Sequence, residues 1–143
     1  MSKQRYIVKA LLEDKDAFLR GLKHSLSLSI NAKRNLILLV PEKGKFKHTH
    51  AAKILGEPLA KSLLKSGSIP FPIDEENSIQ IQLISHTQFR AGSAYDVIYA
   101  IYAHDGILEK IEQSYFEAVV VLQWLGDDDT KKWCNVNSSI TVV

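Results

Sequence analysis

The chain has 143 residues, is 45% hydrophobic and 24% charged, and carries a formal net charge of +2. That length and balance suit one globular domain, residues 1–143, with a single packed core, and exclude fibrous, collagen-like and disordered classes. Apolar runs such as Leu36 to Val40 and Ala118 to Leu122 fall well short of the about 20 residues that cross a bilayer. The segment after Lys3, Gln4 and Arg5 is too charged for a signal-peptide core, so a cytoplasmic address with no membrane partner is expected.

In chain order, Ile7, Leu11, Phe18, Leu22 and Leu26 recur at helical spacing and predict an N-terminal helical segment from Gln4 to about Leu28, as one helix or two. Leu26, Leu28 and Ile30 alternate with serines, which leaves an extended end open. Asn35 to Val40 is a continuous apolar run closed by Pro41, the mark of a strand buried on both faces and the expected first strand of the sheet. A polar loop from Glu42 to Lys47 leads to Thr49, a candidate N-cap for a helix carrying Ile54, Leu55, Leu59 and Leu63, with a break at Gly56 and Pro58. Ser66 to Asn77 reads as a surface connection. Ile79, Ile81 and Leu83 alternate with glutamines and predict a strand with one solvated face near the sheet edge.

After a short loop, Gln88 to Ala94, the β-branched and aromatic run Asp96 to Ala103 predicts another strand, followed by a helix through Ile107, Leu108 and Ile111. Ala118 to Leu125 is the last buried strand. Asp127 to Asp129 suit the positive end of a closing helix with Trp133, and Ser139 to Val143 has the composition of an edge strand, in this molecule or in a neighbour. Strands alternating with helices predict an α/β three-layer sandwich with a mostly parallel, Rossmann-like sheet of about four to five strands, preceded by the N-terminal helical segment. The loop between the second and third predicted strands is short for a crossover and would also suit an antiparallel pair.

Ligands of open α/β sheets bind at the carboxyl ends of the strands, so the residues after each strand are the candidate site. His48 and His50 follow the first predicted strand, His86 ends the second, and His104 with Asp105 follows the third. His48, His86 and His104 are the candidate acids or bases. No metal signature, glycine-rich dinucleotide fingerprint or nucleophile elbow is present, so no metal ligand is assigned and no cofactor is indicated. The lone Cys134 supports no internal disulfide and reads as an inert, partly buried thiol. Lys43, Lys45 and Lys47 alternate along the loop before Thr49 and His50, where free helix N-terminal amides would follow. With Asp105 they form the candidate ligand-binding set for an anionic, phosphate-bearing molecule such as a nucleotide. The loop is not a P-loop, since Leu39 stands at the first glycine position and Phe46 at the Ser/Thr position.

Up to Gly67 there are 14 Lys and Arg against 5 Asp and Glu; from Ser68 onward there are 4 against 11. That asymmetry supports a second reading, a noncatalytic module whose basic half binds nucleic acid or an acidic protein and whose sheet edge supports a homo-oligomer. A third is a metal-dependent enzyme using the histidines and aspartates of the same edge. The order strand, Pro41, helix, strand, Tyr95 to Ile98, helix, Ala118 to Val121 resembles a stretch of the first motor domain of superfamily 2 helicases in architecture. The nucleotide-binding lysine loop is missing, and Gln123 and Trp124 stand where that family has its Asp-Glu pair.

Overall fold

The computed structural model describes residues 3–10, 15–43, 53, 55–124 and 126–142. Among these residues seven strands and four helices follow one another as β1 (Gln4–Val8), α1 (Lys15–Ala32), β2 (Leu36–Val40), α2 (Glu57–Ser66), β3 (Ser68–Pro72), β4 (Ser78–Ser85), β5 (Val97–Ala100), α3 (Asp105–Glu112), β6 (Ala118–Leu122), a 3-10 turn (Asp127–Thr130), α4 (Lys131–Val136) and β7 (Ile140–Thr141). The strands form one mixed sheet in the order β3-β4-β2-β5-β6-β1-β7, in which only β3 runs antiparallel to its neighbour. The α/β class is as the sequence predicts, and no described helix is long and apolar enough to cross a membrane.

The central strands β2, β5 and β6 are buried at every position. Both their faces are covered, which is why their sequences are continuous rather than alternating. On one face Leu36, Leu38, Val97, Tyr99 and Val120 meet Phe18 and Leu22 of α1 and Ala60 and Leu63 of α2. On the other, Ile37, Leu39, Ile98, Val119 and Val121 meet Ile107, Leu108 and Ile111 of α3, together with Trp133. β4 lies one strand in from the edge, and its alternation buries Ile79, Ile81 and Leu83. α2 starts behind Gly56 at φ 94° with Pro58 in its first turn, the break expected at those residues.

Two expectations are corrected. Gln4–Val8 is a strand paired in parallel with β6, not the start of a helix, and the helix begins only at Lys15. The step of four from Ile7 to Leu11 mimics a helical turn, but Ile7 and Val8 pack into opposite faces of the sheet, as adjacent strand residues must. Residues 68–72, expected as a surface connection, form the edge strand β3 despite Pro70 and Pro72. The Leu83 amide bonds to the Gly67 carbonyl at 2.8 Å, which sets the alternation of the ladder. Pro70 and Pro72 then occupy the non-bonded positions opposite Gln80 and Ser78, where no amide hydrogen is required. The described residues thus give the sheet seven strands rather than four to five.

The short loop after β4 does not make a hairpin: β4 and β5 both run parallel to β2 and flank it. The segment between them crosses the sheet, with Phe89 buried against the α3 face. The C-terminal edge strand forms within this molecule, as β7 beside β1.

Candidate functional site

The carboxyl ends of β1, β2, β4, β5, β6 and β7 share one edge of the sheet, because these strands are mutually parallel. The chain leaves β2 for α2 on one face and β4 on one side; it leaves β5 for α3 on the other face and β6 on the other side. Adjacent strands whose connections depart in opposite directions open a crevice between them, the usual ligand position in such sheets. The residues after β2 and after β5 therefore flank the same opening.

His86 and His104 meet there. The His86 amide donates to the Val40 carbonyl at 2.9 Å, which places its ring at the end of β2. The rings of His86 and His104 lie edge to face with centroids 5.3 Å apart. Nε2 of His86 is buried and has no hydrogen-bond partner among the described residues. Burial, then the neighbouring His104 and Lys110, lower the His86 pKa from 6.5 to about 4. The ring is consequently neutral at physiological pH. His104 caps α3: its Nδ1 accepts from the Gly106 amide at 3.0 Å and the Ile107 amide at 3.4 Å. Acceptance at Nδ1 fixes the neutral tautomer with its proton on Nε2, so His104 keeps a donor beyond the cap.

Between β5 and His104, Tyr102 takes a left-handed backbone conformation at φ 53° while its side chain is buried. That geometry costs a bulky residue about 1–2 kcal/mol and is retained where surrounding structure dictates it, often beside a site. Its ring contacts Trp124 at 5.5 Å. Lys43, three positions past β2, is partly buried on this edge. Lys45, Lys47, His48, Thr49 and His50 lie outside the described residues.

Asp105 is spoken for within the fold: its carboxylate accepts from the amides of Lys132 at 3.2 Å and Trp133 at 2.9 Å, holding the start of α4 against α3. Among the described residues no group of three or more His, Cys, Asp or Glu could hold a metal ion. Cys134, expected partly buried, is exposed, because the buried face of α4 is occupied by Trp133.

Sequence reasoning overlooked Gln123, the polar residue that ends the run Val119-Val120-Val121-Leu122. It is only 1% exposed. Its Oε1 accepts from the Ala10 amide at 3.3 Å, and its Nε2 donates to Asp127 at 3.0 Å and Thr130 at 3.1 Å. One side chain thereby ties the loop after β1 to the loop after β6. A glutamine closing a buried strand was the available signal. Gln123→Leu strands those partners without bonds, and the expected cost is about 2 kcal/mol by urea denaturation, with faster amide exchange at Ala10. Equal stability with unchanged exchange would remove this role.

No protein-family model matches the chain, and neither a curated protein nor a solved structure is significantly similar to it.

Proposed function

We propose that the chain is a Rossmann-like binding domain for an anionic, phosphate-bearing ligand such as a nucleotide, seated at the carboxyl edge between the ends of β2 and β5. The observation that carries this reading is the buried, unpartnered Nε2 of His86 against His104 at the crevice. A buried polar atom without a partner is uncommon and calls for a reason. A phosphate oxygen supplies one: it accepts from Nε2–H of His104 and, once His86 takes up a proton, from Nε2–H of His86 as well. Lys110, already close enough to disfavour a charged His86, adds positive potential that an anion would relieve. Lys43 stands at the same edge, and the candidate residues Lys45, Lys47, Thr49 and His50 continue from it along the chain.

The test is calorimetric titration of the purified protein with inorganic phosphate, AMP and ATP near pH 6.5, repeated on His86→Gln and His104→Asn. Asparagine keeps a helix cap while removing the imidazole donor. Loss of about 1.5–3 kcal/mol of binding, roughly tenfold or more in affinity, is expected for each variant, as for a hydrogen bond to a charged group. Binding of equal strength in both variants, or none of the three anions bound at millimolar concentration, would sink the reading.

A further inference from the structure

The opposite edge of the sheet, where the strands begin, holds a cavity of about 290 Å³ lined by Lys3, Arg34, Tyr95, Asp96, Tyr115, Phe116 and Glu117. We infer that this cavity binds a nucleobase with its attached phosphate, the base lying against Tyr115 and the phosphate against Arg34 and Lys3.

Its walls are built before any ligand arrives. The rims 93–96 and 115–117 are laced together by backbone bonds: Tyr95 amide to Tyr115 carbonyl at 2.7 Å, Tyr115 amide to Ser93 carbonyl at 3.0 Å, and Glu117 amide to Asp96 carbonyl at 2.9 Å. The Tyr95 ring stacks on Phe89 at 4.5 Å, and its hydroxyl accepts from the Arg90 amide at 3.1 Å. Lys3 donates to the carbonyls of Glu112 at 3.2 Å and Ser114 at 3.0 Å, with its ammonium 4.7 Å from the centre of the Phe116 ring. Rigid walls lower the ordering cost of binding.

The groups left open define the ligand. Tyr115 is 69% exposed, a flat ring face presented at the rim. The Arg34 guanidinium is exposed, Glu117 is half-buried, and neither side chain has a hydrogen-bond or ion-pair partner among the described residues. Asp96 is partly engaged, since its Oδ2 accepts from the Asn35 amide at 3.1 Å. A ligand that satisfies all three open groups has a flat π surface, an N–H edge for the carboxylate and an anionic group for the guanidinium. A nucleobase bearing an exocyclic amine, joined to phosphate, has these features in that order. The cavity is at the small end of the range for ligand pockets, which suits one base–phosphate unit and not a larger molecule. That unit can belong to a free mononucleotide or to a single strand, on which stacking against an aromatic ring beside cations is a common mode of recognition.

The test is run on a His86→Gln/His104→Asn double variant, which weakens the carboxyl edge, and the position of the shifted amides tells the two edges apart. AMP, an oligodeoxyadenylate, adenosine and inorganic phosphate are titrated while amide NMR shifts are followed. The expected result is binding of AMP or the oligomer with shifts at residues 93–96 and 115–117, weakened about tenfold by either Tyr115→Ala or Arg34→Gln, both exposed positions. Equal affinity per site for AMP and the oligomer assigns a free nucleotide; binding of the oligomer alone, or much tighter, assigns a strand. The inference is overturned if neither binds, if both variants bind undiminished, or if inorganic phosphate or adenosine binds as tightly as AMP.

Discussion

Gly21→Ala is expected to destabilise the fold by about 3 kcal/mol, the upper end of the range for forcing an extra methyl into a packed core. A Cβ built at residue 21 lies 2.6 Å from Cζ of Tyr99 and closer still to its hydroxyl oxygen. Tyr99 has no room to give way. It is fully buried at the centre of β5, its hydroxyl donates to the Phe18 carbonyl at 2.7 Å, and its ring stacks on Phe18 at 5.6 Å. Burial also raises the Tyr99 pKa well above its usual value, so the phenol stays a donor wherever the protein is folded. Glycine at 21 is therefore what lets α1 approach the sheet, with one turn of helix resting on one tyrosine. Urea denaturation of Gly21→Ala, Tyr99→Leu and the double variant checks this. The double variant should lose at least about 1 kcal/mol less than the two single losses added, because leucine removes the atoms that clash. Strict additivity, or a Gly21→Ala protein as stable as the parent, would show that helix and sheet separate without cost.

How much of this was legible follows from which forces left a local trace. β2, β5 and β6 were readable because burial on both faces demands continuous apolar runs, and the break at Gly56 and Pro58 was readable because each residue restricts its own backbone. β1 was not, since five residues are too few to separate a strand from a helical turn when Leu11 happens to follow Ile7 at a step of four. β3 was hidden by prolines whose harmlessness depends on the register of β4. The reasoning that residues after strands share an edge put His86 and His104 at the same end of the sheet, and their rings do lie together there. Their meeting within 5.3 Å depends on β2 lying between β4 and β5, a strand order that no local pattern encodes. The cavity at the other edge was invisible for the same reason: Lys3, Arg34, Tyr95 and Tyr115 come from four separate stretches of chain.

Between pH 7.5 and 5 the protein should lose stability through His86, and His86→Gln should abolish that part of the loss. The folded-state pKa, at about 4, lies below the ordinary 6.5. The unfolded chain therefore binds a proton that the folded protein refuses. The contribution is fully present above about pH 6.5, declines as pH falls, and is exhausted below about pH 4. Each pKa unit corresponds to about 1.4 kcal/mol, and the half-buried ring keeps part of its solvent, so the expected total is about 2 kcal/mol. His24, lowered by burial, acts in the same direction, whereas Glu112, which burial would raise but which Arg5 and Trp133 hold lowered, loses its contribution only at more acid pH. Subtracting the variant from the parent isolates His86 from both. If the two proteins lose equal stability from pH 7.5 to 5, the ring is not held neutral by the fold. The same titration bears on the ligand. An anion bound to the two imidazoles favours the protonated His86, so phosphate near pH 6 should flatten the parent's decline and leave that of His86→Gln unchanged. A decline as steep with phosphate as without it would place the anion elsewhere, while a flattened one would make proton uptake by His86 part of binding itself.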